Sequence, residues 1–172
     1  MEILNTFDPR TTEIFISRIE KLTPETQPQW GKMDVAQMMA HVSVAYDMTY
    51  GKLNLKYNGF MRMMLKLIVK KMVVGEKPYK KNNSTAPAFI ITDKREFEKE
   101  KQILIDYIKL TDSKGIAHFD GLENTSFGKL SAKEWSTLLS KHLDPHLTQF
   151  GVLLNYLSGP ISFFEIIPRH KC

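Results

Sequence analysis

Ser131-Ala-Lys-Glu-Trp-Ser-Thr-Leu-Leu-Ser-Lys-His-Leu-Asp-Pro-His-Leu-Thr-Gln-Phe-Gly151 reads as a helix with one apolar stripe and two histidines on it. Ser131 and Glu134 form a capping-box pattern, in which each side chain satisfies a backbone amide at the other position. Leu130 stands where a hydrophobic staple would. Trp135, Leu138, Leu139, His142, His146 and Phe150 recur at helical spacing, and the stripe continues to Leu153 and Leu157. Gly159 and Pro160 close the predicted helix, and Ile161 to Cys172 is left as an irregular tail.

Four more helices are expected upstream, and almost nothing reads as strand. Asp8 caps the first, Pro9 suits its first position, and Phe15, Ile19 and Leu22 share a face. Pro24 stops it, and Thr23 to Gly31 is a loop containing Trp30. A capping box of Asp34 with Gln37 opens the second, which runs through Met38, His41, Val42, Ala45 and Met48 to Gly51. The third spans Asn58 to Val74. Arg62, Lys66 and Lys70 lie on one side of it, while Phe60, Met64, Leu67, Ile68 and Met72 occupy much of the rest. Glu76 to Pro87 is a polar surface loop. Asp93 with Glu96 opens the fourth helix, whose face is Phe97, Leu104, Ile108 and either Ile105 or Lys101, ending near Leu110. Thr111 to Gly128, with three glycines and weak periodicity, is expected as loop. The pattern predicts an all-α, four-helix, up-and-down-like bundle with one extra helix, forming one domain over residues 1–172.

Composition narrows the chemistry. With 42% hydrophobic and 25% charged residues, the 172-residue chain has the balance of a globular domain and not of a disordered one. Its single cysteine, Cys172, excludes an internal disulfide and a cysteine-rich zinc site, and points to a reducing, cytoplasmic compartment. No signal-peptide pattern precedes Asp8. The longest apolar-rich stretch, Phe60 to Val74, carries Arg62, Lys66, Lys70 and Lys71, whereas a spanning helix needs about 20 mostly uncharged apolar residues. Stable membrane insertion is therefore not expected. The net charge of +5 permits anionic partners without demanding nucleic acid, and none is expected. Neither a glycine-rich phosphate loop nor a credible serine–histidine–acid order is found, and Cys172 is not read as a nucleophile.

The metal-competent side chains are thus histidines and carboxylates. His142 and His146, four apart, point the same way with Cβ atoms about 5–6 Å apart. One ion could take both rings; buried hydrogen bonds could equally satisfy them. His41, on the inward side of the second helix, is the best third ligand. His118, in the expected loop, and His170, in the tail, read as solvated.

Several motifs together resemble the DinB/YfiT-like superfamily of four-helix metalloproteins, specifically a branch known only as a domain of unknown function. They are Trp30-Gly31-Lys32-Met33, Gln37-Met38-Met39-Ala40-His41, Phe127-Gly128-Lys129-Leu130-Ser131 with Glu134-Trp135, and His142-Leu-Asp-Pro-His146 followed by Gln149-Phe150-Gly151. The resemblance spans about Thr11 to Leu157. It implies a three-histidine metal site, carried onto His41, His142 and His146, and an enzyme acting on a small molecule. Three neutral nitrogen ligands suit zinc or nickel, with iron(II) third, and leave a coordination position open. Characterised members of the superfamily include thiol-dependent transferases and isomerases, so a low-molecular-weight thiol is an implied cofactor; metal-assisted hydrolysis is the neighbouring option. No catalytic residue is assigned.

The chain departs from the pattern at Pro145, where relatives often carry another histidine. Proline withholds a hydrogen bond from the Lys141 carbonyl and crowds it, so a bend is expected between Lys141 and Pro145. Gln37 and Gln149, each within a turn of a histidine, are the candidate cofactor-binding residues, with helix capping as the plain alternative for both. Asp144 could orient a ligand imidazole or face water. Trp135 is expected as core beneath the site. The competing class is a non-catalytic ligand- or partner-binding bundle with a degenerate metal site, or a homodimer built through the third helix. That basic helix could also lie on an anionic membrane, though a bundle helix whose lysine stems cover apolar neighbours is the preferred reading.

Overall fold

Helix caps set the frame. In the computed structural model, which describes residues 3–75, 77 and 85–154, Asp8 accepts from the Arg10 amide and starts α1 (Pro9–Glu20). Both halves of the Asp34–Gln37 capping box form at the start of α2 (Val35–Thr49). Asn58 accepts from the Met61 amide to open α3 (Gly59–Met64), which passes through a π-helical turn at Leu65–Val69 into α4 (Lys70–Val74). After a 3-10 turn at Pro87–Phe89 come α5 (Phe97–Phe119) and a two-residue antiparallel hairpin, β1 (Glu123–Asn124) with β2 (Gly128–Lys129), pairing Glu123 with Lys129. The Ser131–Glu134 capping box then starts α6 (Ala132–Gln149). Among the described residues the chain is all-α apart from that hairpin.

Both α1 and α2 pack against α5 and α6, and α4 leans on α6. Their apolar faces meet in one core. Phe15, Ile19 and Leu22 enter it from the α1 side, and Met38, Met39 and Val42 from α2. Leu104, Ile105 and Ile108 of α5 and Trp135, Leu139, Leu143 and Leu147 of α6 complete it. At roughly 25 cal/mol per Å² of apolar area, burying such faces is what stabilises helices that would be marginal alone.

Three expectations change. First, α5 neither starts from an Asp93–Glu96 capping box nor stops near Leu110. Asp93 pairs with Arg95 instead, and Glu96 occupies the cap position without a side-chain bond. Helix continues to Phe119 because Thr111 and Phe119 are buried and the Thr111 hydroxyl bonds the Tyr107 carbonyl. Gly115, at φ +65° and ψ 179°, is not helical, so α5 is two helical stretches joined by a kink there. Second, α6 ends at Gln149, not Leu157. Gly151 at φ +79° lets its amide reach the Thr148 carbonyl and the Val152 amide reach that of Leu147, a Schellman closure. Leu153 is exposed as a result. Gly159, Pro160 and the tail lie outside the described residues, as does most of the loop read over 76–87.

Third, the basic helix presents a different side to the core. Leu65, Val69 and Val73 pack against it, while Phe60, Leu67, Ile68 and Met72 face outward. Arg62 and Lys70 turn toward the body and pair with Glu123 (2.5 Å) and Glu134 (2.9 Å). At Pro145 the chain stays within α6, which is helical from Lys141 through the proline.

Candidate metal site

Two helices bring the three histidines together. His142 and His146 lie one turn apart on α6, and His41 reaches them from α2, which packs alongside. Ring centroids are 5.0 Å apart for His41 and His142, 4.6 Å for His41 and His146, and 5.1 Å for His142 and His146. One ring nitrogen from each falls within 4.8 Å of the others, so the group could hold a metal ion.

Two of the rings are oriented from behind. The Nδ1 of His41 lies 2.7 Å from the Phe89 carbonyl, so that nitrogen donates and the other is left for the cluster. The 3-10 turn at Pro87–Phe89 places that carbonyl, and the Phe89 ring meets both His41 and His142 edge-on. The Nδ1 of His146 sits 3.0 Å from the Gln149 Oε1, and the Gln149 amide donates to the Trp30 carbonyl at 2.6 Å. Gln149 thus transmits the position of the Trp30–Gly31 loop to His146. Gly31 is required there: its φ is +92°, and a Cβ on it would stand 2.5 Å from the Gln149 Nε2.

His142 differs from its neighbours. Its Nε2 is buried and makes no hydrogen bond. Leaving such an atom unsatisfied costs about 1–3 kcal/mol, and a metal ion is a partner that would remove the cost. The electrostatics agree. Burial lowers the pKa of all three rings: His142 falls well below the usual histidine value, with His146 and His41 adding to the effect, and His146 falls to about 4 through burial and the neighbouring His41. The rings are therefore neutral at pH 7, as metal ligation needs.

The remaining candidates sort as follows. Gln149 touches the site through His146. Gln37 is occupied by the capping box and by donation to the Asp93 carbonyl, so its polar atoms serve the helix end and loop. Asp144 neither orients an imidazole nor faces water. It is buried against Arg18, 2.6 Å away, whose guanidinium also bonds the Val152 and Asp144 carbonyls and so ties α1 to the end of α6. Trp135 is core and donates to the Leu122 carbonyl. His118 is exposed and stacks edge-on with Phe119. His170 and Cys172 lie outside the described residues.

Phe89 and Trp30 were missed as supporting groups, because both act through backbone carbonyls and no side-chain pattern announces that. Lys141 was missed too: it is fully buried, and its ammonium donates to the Met72 and Gly75 carbonyls at 2.6 Å each, capping the end of α4.

The described residues thus define a mostly helical protein with a three-histidine group. Comparison with family models, curated proteins and solved structures gave no match. Among the described residues, no helix is long and apolar enough to cross a membrane.

Proposed function

We propose that the chain is a metal-dependent enzyme of the DinB/YfiT kind, a four-helix bundle with His41, His142 and His146 as ligands. The observation that supports this best is the buried, unpartnered Nε2 of His142 beside a nitrogen from each of the other two rings. A divalent ion held there, zinc or nickel first and iron(II) third, supplies Lewis acidity at a position three protein ligands leave open to a small-molecule substrate.

The chain's own residues do the positioning. Phe89 and Gln149 fix two imidazoles, and burial keeps all three neutral without displacing a proton at pH 7. Pro145 leaves α6 helical, so it does not separate His142 from His146. Asp144 is tied to Arg18 and no general acid or base is assigned. A low-molecular-weight thiol is the proposed co-substrate, with metal-assisted hydrolysis next. A single cysteine in 172 residues favours a reducing, cytoplasmic setting.

The test is metal analysis of protein purified without an affinity tag, before and after reconstitution with zinc, nickel or iron(II). We expect about one equivalent per chain, abolished in the triple histidine-to-alanine variant. Retention of the same amount by that variant, or failure of the wild-type protein to take up metal, would refute the reading and leave a non-catalytic bundle with a degenerate site.

A further inference from the structure

The segment from Lys52 to Gly75 holds Lys52, Lys56, Arg62, Lys66, Lys70 and Lys71 and no acidic residue. These six positive charges exceed the net +5 of the whole chain, so the rest of the protein is close to neutral. The same segment carries the most exposed apolar side chains. Phe60 is 69% exposed, Leu67 68% and Ile68 60%, and Met61, Met63 and Met72 are about half exposed. At about 200 Å² for each such residue in the open, these six leave about 700 Å² accessible, above the roughly 300–600 Å² of the largest patch on an ordinary monomer.

The orientation is fixed by contacts on the opposite side. Leu65, Val69 and Val73 pack on the core, Arg62 and Lys70 hold Glu123 and Glu134, and the Lys141 ammonium caps the carbonyls of Met72 and Gly75. The segment cannot roll its apolar side inward without breaking these. Lys56, Lys66 and Lys71 remain exposed beside the apolar strip. A docked helix with Phe, Leu, Ile and Met outward and lysines flanking is the arrangement that seats in the headgroup region of an anionic bilayer.

We infer that the face built by residues 59–74 is a peripheral docking surface for anionic lipid membranes. A second copy of the chain fits less well. A two-fold contact through this face would set two cationic segments against each other, neither of which holds an acidic residue.

Full-length protein is co-sedimented with phosphatidylserine-rich and with pure phosphatidylcholine vesicles, at low and high salt. We expect binding to the anionic vesicles alone, weakened by salt. Lys66→Gln with Lys71→Gln should weaken it about thirtyfold, each lysine near the surface counting for about tenfold or less. Phe60→Ser with Leu67→Ser should abolish binding while leaving the melting temperature and the metal content unchanged, since both side chains face water in the unbound protein. Equal binding to neutral vesicles, or no binding to either, overturns the proposal. Two further outcomes reassign the face and also overturn it. A dimer in lipid-free solution that the Phe60→Ser, Leu67→Ser variant dissociates assigns it to a second copy. A marked fall in melting temperature for that variant, with the protein monomeric, assigns it to the apolar stretch Ile161–Ile167 of this chain.

Discussion

Lowering the pH of metal-free protein from 7 to 5 should cost at least about 2 kcal/mol of stability. Burial holds the folded-state pKa of His41, His142 and His146 below the usual 6.5, and that of His146 at about 4. Above pH 6.5 both the folded and unfolded chains carry neutral rings, and the shift contributes nothing. Below it the unfolded chain takes up protons that the folded one refuses, so stability falls as pH falls, and goes on falling until the folded rings titrate. At pH 5 His146 alone accounts for about 2 kcal/mol, at roughly 1.4 kcal/mol per unit of pH over the interval. Burial shifts His142 and His41 in the same direction, so they deepen the loss. The 2 kcal/mol from His146 is already a sizeable share of the 5–15 kcal/mol typical of a domain, and amounts to a fall of about 4–8 °C in melting temperature. Urea denaturation of chelator-treated protein at pH 7, 6 and 5 measures it. The His142→Leu, His146→Leu variant should show a flatter dependence. Wild-type stability equal at pH 7 and 5, or rings titrating near 6.5 by NMR, would refute the reasoning.

The support behind the site gives two more expectations. Gly31→Ala forces a Cβ against the Gln149 amide and strains a backbone at φ +92°, so His146 loses its orienting partner. Zinc affinity, measured by competition with a chromophoric chelator, should fall about 10- to 100-fold with the helical content retained. Asp144→Ala leaves the Arg18 guanidinium buried without its carboxylate, which should cost about 3–5 kcal/mol in urea unfolding, whereas Arg18→Met with Asp144→Leu should recover most of the loss.

What could be read from the sequence follows the range of the interactions. Caps act within three residues, and Asp8, Asp34 and Ser131 start helices in the structure, whereas Asp93 is drawn to Arg95 and caps nothing. The His142–His146 pairing is one helical turn and was equally visible. Its meeting with His41 rests on the packing of α2 on α6, which no local pattern encodes. Arg18 with Asp144 and Trp30 with Gln149 are separated by more than a hundred residues, so neither the carboxylate's role nor the loop's could be deduced. In the segment 59–74 the difficulty was different. Leu65, Val69 and Val73 form one apolar row and Phe60, Leu67 and Ile68 another, and periodicity offers no means of choosing which row is buried. The helical stretch past Leu110 was hidden because Gly115 does break the helix, and the short second stretch beyond it is held by the buried Phe119, a tertiary contact.

Lys141 makes that segment's attachment measurable. An amine-acylating reagent reaches lysines that water reaches, and Lys141 has no exposed surface while its ammonium sits on the Met72 and Gly75 carbonyls. Its acylation therefore requires the end of α4 to lift away. Mass-spectrometric labelling at this one residue becomes a clock for local opening, read against the exposed Lys71 as an internal standard, in the chain position next to a proposed metal ligand.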